Sequence, residues 1–409
     1  MRIDFKTFLS EEANAPQGKP LKHLRHTEDY AIHHGHEGVA IAHDHLFGIH
    51  NMLLGKNTSG INATGKGDGA PSIVTGIHPQ TGKFFVASKS AFNKNPKINY
   101  SEEDIERNHG HAPGLVEKMK NAFRYLKHVV PKDGGIYQGD YMGDDKDVEK
   151  KDGMTSQTPN TLKMSAPSDS PEGRNLEKPI SFMFHTKYKG RGGLENMSAE
   201  PLDSKTRAKF RQHPDVNNID PTLDINSSNY TPEEQKAFLN HMEKAKTIYS
   251  SMKPESMDAL AGHGENLEAH VNNMIRTGGK PSTQGYIDHL TARHQKDLEK
   301  VKTEAARQKR IQAHADAMSH ISNNIEHFDK ALQLHSHLQN AKNVLVNVLN
   351  KNNKYQYSVA GEPTGSEGTV VYDKGGNASK LVNRNEFSRL NFLKGAFQKQ
   401  RVADAEAQL

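Results

Sequence analysis

The chain has 409 residues with 54 Lys or Arg against 49 Asp or Glu, so no global polycation draws it to nucleic acid, although local basic patches stay open. That length exceeds one typical domain, and a hydrophobic content of 33% predicts one modest core beside polar, solvated segments. The absence of cysteine excludes disulfides and thiolate metal sites, and no run of about 18 apolar residues is present to span a membrane.

The first residues, Met1 to Glu12, carry acids early and lack an apolar signal core, which predicts a short amphipathic element in a soluble, cytoplasmic protein. Residues 1–60 read as a helical segment, because Val39, Ile41, Leu46, Phe47, Ile49, Met52 and Leu53 recur at helical spacing before Gly55. His33, His34, His36, His43, His45 and His50 crowd the same stretch. A metal site is one reading, since imidazole is a common ligand and His43 and His50 share a helix face. Without a His-Glu-x-x-His pattern or a cysteine, structural or surface roles are expected.

Between Ile61 and Thr75 a lysine and an aspartate, Lys66 and Asp68, alternate with Gly65, Gly67 and Gly69 between two strand-like runs. Such a loop lets the backbone approach a ligand closely. Its lysine is either a phosphate contact or a nucleophile, and a nucleophilic amine must be unprotonated, which desolvation and neighbouring cations favour. A glycine-rich hairpin with a solvated lysine has the same signature. The runs 72–76 and 82–90 form a hairpin with its turn at His78-Pro-Gln-Thr-Gly82. Residues 101–128 predict one or two amphipathic helices, and Gly135–Met142 a strand carrying Asp140. Residues 143–177 read as a polar loop with one strand near Thr161–Met164, and Lys178–Tyr188 as a longer strand.

Residues 201–352 change to long polar helices with narrow apolar stripes, such as Phe238, Met242, Ala245 and Ile248, which predict antiparallel packing. The charges at 293–310 read most simply as a solvated helical face. Strands return after Asn353, at Tyr355–Val359, Ser366–Tyr372 and Ala378–Arg384, and a basic helix is expected from Phe387.

Taken in this order, the sequence resembles the covalent nucleotidyltransferases, which include ATP-dependent DNA and RNA ligases and mRNA capping enzymes. The family's Lys-x-Asp-Gly motif is matched by Lys66 to Gly69, and its Glu-Gly-x-Val-Val motif by Glu367-Gly368-Thr369-Val370-Val371. Ser88-Lys89-Ser90 resembles the Ser-Arg-x-Gly-like motif with lysine for arginine, and Gly139-Asp140-Tyr141 the Gly-Glu-Leu-like motif with the shorter acid. Ile180–Tyr188 is similar to the strand carrying the base-stacking aromatic, and Ala378-Ser-Lys380-Leu retains one of two lysines of the last motif. The whole chain, with its ending Lys380-Leu-Val-Asn-Arg-Asn-Glu-Phe-Ser388, is also similar to a family of tailed-phage proteins, a likeness that carries no activity and implies the host cytoplasm.

The resemblance implies an α+β fold: a ligase-like (ATP-grasp-like) nucleotidyltransferase core of antiparallel sheets with flanking helices, divided between 61–200 and 353–409. A helical insertion at 201–352 interrupts it. Nothing after Lys380 is long enough for the small β-barrel (OB) domain that many relatives append, so none is expected. It implies that Lys66 is the catalytic residue adenylylated from ATP, and that Glu367 is a magnesium ligand. Asp68, Gly69, Ser88, Lys89, Asp140, Phe184 and Lys380 become nucleotide-binding residues, with Phe184 stacking on the base and Lys380 on the α-phosphate. The acceptor implied is a 5′-phosphorylated nucleic-acid end, and the insertion is expected to bind nucleic acid, a protein partner or its own copy. Two alternatives stay open: a ligase fold that grips nucleotide or nucleic acid without covalent chemistry, and AMP or GMP transfer to another acceptor.

Overall fold

The computed structural model describes residues 24–386 except Ser59, Asp68, Asp133 and Pro254. The predicted amphipathic start, Asp68 and the basic helix from Phe387 therefore lie outside the described residues. The strands are β1 (Asn62–Gly65), β2 (Ser72–Ile77), β3 (Phe84–Ala87), β4 (Gly135–Gly143), β5 (Glu149–Lys151), β6 (Met154–Gln157) and β7 (Lys163–Pro167), followed by β8 (Ile180–Lys189), β9 (Ser198–Pro201), β10 (Val216–Asn218), β11 (Gln356–Val359), β12 (Glu362–Thr364), β13 (Thr369–Tyr372) and β14 (Ala378–Leu381). The helices are α1 (Tyr30–His33), α2 (Gly35–Leu53), α3 (Glu102–His109), α4 (Pro113–Leu126), α5 (Pro171–Leu176) and α6 (Ser204–Arg207), then α7 (Pro232–Ser250), α8 (Glu255–Asp258), α9 (Gly264–Thr277), α10 (Thr283–Glu299), α11 (Glu304–Asn323) and α12 (Ile325–Asn350). The architecture is α+β, with three mostly antiparallel sheets that stay open among the described residues.

The largest sheet has the order β10-β8-β4-β2-β3, with β9 on β8. Strand alternation divides its faces. Ile180, Phe182 and Phe184 turn to one side and pack with Tyr137, Tyr141 and the buried stripe Val116, Met119, Ala122 and Leu126 of α4. Met183 turns to the other side with Met142. Ser101 caps α3 by accepting from Asp104 N at 3.2 Å, as the acidic start predicts. The sheet continues past residue 200, because β10 pairs in parallel with β8 from Val216↔Ile180.

The segment 143–177 differs from its sequence reading. It forms β5, β6, β7 and α5, and the strands join β11 and β12 in a sheet of order β12-β11-β7-β6-β5. Alternation is invisible there for a physical reason. All three residues of the edge strand β5 are exposed, and the buried side chains of β6 are Thr155, Ser156 and Gln157. Their donors are satisfied by hydrogen bonds such as Gln157 Nε2 to Asp144 O and Leu176 O, each 2.9 Å.

The third sheet, β1-β13-β14, shares one core with the helices. Leu46, Ile49 and Leu53 of α2 meet Phe238 and Met242 of α7, Leu334, Leu338 and Leu345 of α12, and Val371 and Leu381 of the sheet. The predicted stripes of α7 and α12 are buried, whereas Ile311, Ala315 and Ile325 of the stripe predicted between them are exposed, and the helical block packs on the N-terminal helix and this sheet rather than only on itself. Several of the clustered histidines are ties in that packing. His50 Nδ1 lies 2.8 Å from the Tyr230 hydroxyl and its ring stacks on Phe238, while His43 is exposed. Fully buried His45 places Nδ1 2.8 Å from Ser379 Oγ.

Burial brings the His45 imidazole down to about 4, against a smaller opposing pull from Asp373 and Asp44. The neutral ring is favoured in the folded state, so its contribution is complete above about pH 6.5 and is lost as pH falls toward 4. Between pH 7 and pH 5 this one group should lower stability by about 2 kcal/mol. Urea midpoints measured at both pH values should fall further for the wild type than for His45→Asn; equal falls would assign the acid sensitivity elsewhere.

Candidate active site around Lys66 and Glu367

The antiparallel register Gly65↔Thr369 between β1 and β13 brings the residues just beyond each strand face to face. Lys66 N donates to Gly368 O at 2.9 Å, and the Lys66 ammonium makes a hydrogen-bonded ion pair with Glu367 Oε1 across a sequence separation of 301. Glu367 is buried, 8% exposed, whereas the Lys66 side chain is 27% exposed and reaches solvent. Gly368 has φ +132°, and a Cβ there would lie 2.4 Å from Leu381 O. The loop after Lys66 crosses from the small sheet to the largest one rather than closing a hairpin, since β1 pairs with β13 and β2 with β3 and β4.

In that crossing, a Cβ on Gly69 would fall 2.2 Å from the Tyr141 carbonyl oxygen. Backbone cannot move aside as a side chain does, so Gly69→Ala should destabilise by about 1–3 kcal/mol. Denaturant unfolding checks this, and an unchanged midpoint would contradict the packing.

Lys380 sits on β14 opposite Val370 of β13, and its N–H donates to Arg25 O at 2.9 Å. Burial, then the charges of Lys66 and Arg384, hold its amine below the ordinary lysine range. Lys66 and Glu367 line a narrow, partly open cavity of about 40 Å³, whose other walls are Gly67, Met142, Pro159, Thr161, Leu162, Met164, Met183 and Tyr357. Asp140 pairs with Met183 across β4 and β8, so it shares the cavity's sheet face, with Oδ2 3.6 Å from His185 Nε2. It does not line the cavity itself.

Other predicted site residues stand elsewhere. Phe184, the expected stacking ring, is 2% exposed on the opposite face of β8, packed against Phe182, Tyr137 and Phe210. One residue of strand parity decides this, and Met183 is the side chain that turns toward Lys66. Ser88 caps the 3-10 turn Lys89–Phe92, accepting from Ser90 N at 3.2 Å, and neither Ser88 nor Lys89 lines the cavity. Sequence reasoning missed Met142, Met164, Met183 and Tyr357. Alternation along β8 separates Met183 from Phe182 and Phe184 without saying which face meets Lys66, and Met164 and Tyr357 meet only because β7 pairs with β11.

A buried charge network lies under β14. Lys342 Nζ of α12 donates to Glu28 Oε1 at 2.5 Å, His335 Nε2 to Asp29 Oδ1 at 2.8 Å, and Arg384 to Asp29 Oδ2. Burial alone would raise the Asp29 carboxyl, but Arg384 and His335 hold it well below the usual range. Nearby, His33, Glu265 and Glu268 group their ligand atoms within 4.8 Å, as a metal site would. The Arg25 guanidinium already spans the group, at 2.7 Å from Glu265 Oε1 and 2.8 Å from Glu268 Oε2. An internal cation thus meets that charge. Among the described residues no helix is long and apolar enough to cross a membrane.

A family model described as a family of unknown function (DUF6267) matches residues 21–395. Neither the curated proteins nor the solved structures give a match.

Proposed function

The chain belongs to this family of unknown function (DUF6267), and we propose from its own residues that it is a polynucleotide ligase-like nucleotidyltransferase. In this reading Lys66 takes AMP from ATP and passes it to a 5′-phosphorylated nucleic-acid end. The observation that carries it is the meeting of Lys66 with Glu367 from 301 positions away, with Lys380 close enough for the two amines to repel.

The Lys66 ammonium first gives a proton to Glu367, the carboxylate in contact with it. The neutral amine then bonds to the α-phosphorus, the bridging P–O bond breaks, and pyrophosphate leaves with that electron pair. In the second step an oxygen of the 5′-phosphate attacks the same phosphorus, and the Lys66 nitrogen leaves and is reprotonated. The Lys380 charge favours the anionic phosphates. Once Glu367 has passed that proton to solvent, its buried carboxylate would offer magnesium a hard oxygen, and this ion needs only one or two protein carboxylates beside phosphates and water. When bound, that ion would neutralise charge on the triphosphate. The flexible methionines Met142, Met164 and Met183, with the ring of Tyr357, suit a flat base and replace Phe184 in that role.

One observation favours a second reading. Lys66 stands in an ion pair with the Glu367 carboxylate, and a paired lysine suits a phosphate grip without covalent chemistry. Incubation with each of four α-labelled nucleoside triphosphates and magnesium or manganese separates the two. Label that survives alkali, is lost in acid and disappears in Lys66→Ala supports the transfer reading. Label that then moves to nicked duplex or single-stranded RNA fixes the acceptor, whereas retention on the protein with both points to another acceptor. No labelling with any nucleotide or metal overturns the enzyme reading.

A further inference from the structure

The helical pair α10 and α11 departs from every other long helix in what it leaves uncovered. All residues from Lys302 to Ala313 are exposed, so the first ten positions of α11 have no buried face. They are held by the Thr303 cap on Ala306 N, 3.4 Å, and by side-chain pairs such as Gln308 to Glu304 at 2.7 Å. Most helical stability in a protein comes from a packed face, which this ten-residue stretch lacks. A partner that covers the arm would supply the missing stabilisation.

Charge identifies that partner's chemistry. From 293 to 310 the pair carries Arg293, Lys296, Lys300, Lys302, Arg307, Lys309 and Arg310 against Asp297, Glu299 and Glu304. Asp297 lies near Arg310 and Lys300, but among the described residues Lys296, Lys302, Arg307 and Lys309 make no ion pair. Glu299 stands three positions from both Lys296 and Lys302, and Glu304 three from Arg307, yet none of these pairs closes, and Lys309 and Arg310 have no acid three or four positions away. Ile311, 38% exposed, is the one large apolar side chain on the exposed stretch of α11, too little for burial in a lipid interface. The polyanion that fits is therefore a nucleic-acid backbone, which needs cations and no apolar anchor.

The arm is also tied to the candidate site. Arg293 Nη1 donates to Asn266 Oδ1 of α9 at 2.6 Å. The same helix carries Glu265 and Glu268, which grip Arg25, and the Arg25 carbonyl accepts from Lys380 N. We infer that the α10–α11 arm is a sequence-independent grip for the phosphodiester backbone of the nucleic-acid substrate. The inference rests on the proposed reading for why the acid is held near Lys66, but the grip itself needs no chemistry at that lysine.

The test is binding of a 30-base-pair DNA duplex and a single-stranded RNA of similar length, read by fluorescence anisotropy across salt concentrations. Lys302→Glu combined with Arg307→Glu and Lys309→Glu should weaken affinity at least tenfold and reduce the salt slope by about 3, close to one unit per lost phosphate contact. Lys236→Glu with Lys244→Glu and Lys246→Glu, an equal charge change on exposed positions of α7, should leave affinity within about twofold. Circular dichroism melts of both triple variants check that they fold alike. The inference is overturned if the wild type binds neither nucleic acid, if it binds only vesicles of anionic phospholipid, or if the two triple variants weaken binding equally. Loss of binding in the arm variant with no covalent labelling of the wild type would keep the grip and remove the ligase reading.

Discussion

Lys66→Arg is expected to preserve the fold and the pairing with Glu367 while abolishing covalent labelling by nucleoside triphosphate. Guanidinium keeps the positive charge and reaches the same carboxylate, yet it stays protonated at any working pH and offers no lone pair to phosphorus. The variant thus separates phosphate gripping from bond formation more sharply than Lys66→Ala, which removes both. Nucleotide binding should survive within a few-fold, read by a fluorescent ATP analogue. Glu367→Gln tests the other half of the pair. An amide accepts no proton and is a poorer magnesium ligand, so labelling should slow by about 100-fold or more at neutral pH. Raised pH should recover part of that loss, because solvent then removes the proton that Glu367 no longer takes. Labelling by Lys66→Arg, or an unaffected Glu367→Gln, would show that the nucleophile lies elsewhere.

Those two residues were placed together in the sequence by the resemblance to the nucleotidyltransferase motifs, which Lys66 to Gly69 and Glu367 to Val371 match, and not by the local pattern. Gly69 and Gly368 do lack room for a Cβ, but neither β1 nor β2 alternates in burial as a half-buried strand does. Phe184 shows the limit. Both Phe184 and Met183 are apolar in a strand buried on both faces, so hydrophobicity alone does not say which turns toward Lys66. Strands β5 and β6 were illegible for a different reason, since β5 is exposed and the buried positions of β6 are hydroxyl and amide side chains hydrogen-bonded to backbone and to other side chains. In the helical block the stripes were visible but their partners were not. A stripe specifies burial, and only the tertiary fold specifies that Phe238 meets Phe47 and His50 of α2.

Lys342→Met should cost about 3–5 kcal/mol of stability, the range for removing one member of a buried ion pair. Lys342 and Glu28 are each fully buried, and Lys342 was hidden in the sequence as one more lysine of a polar helix. Burial drives the Lys342 amine below its ordinary value while Glu28 pulls it back, so the pair stands by mutual compensation. Without the amine, Glu28 keeps only the more distant Arg384 Nε at 3.4 Å. Removing both charges, as Lys342→Met with Glu28→Gln, should recover most of the loss, because an amide needs no counter-ion in the same space. Urea denaturation of the two single variants and the double variant closes the cycle. A single variant that costs under about 1 kcal/mol would mean that water reaches the pair. The same cycle bears on the chemistry. Arg384 joins Asp29 to the segment after β14, and Thr27 Oγ1 lies 2.7 Å from Ser379 Oγ beside Lys380, so the charges under the sheet also anchor the strand that carries Lys380. The double variant should then fold well but label more slowly than the wild type, which neither a purely structural network nor an irrelevant one would produce.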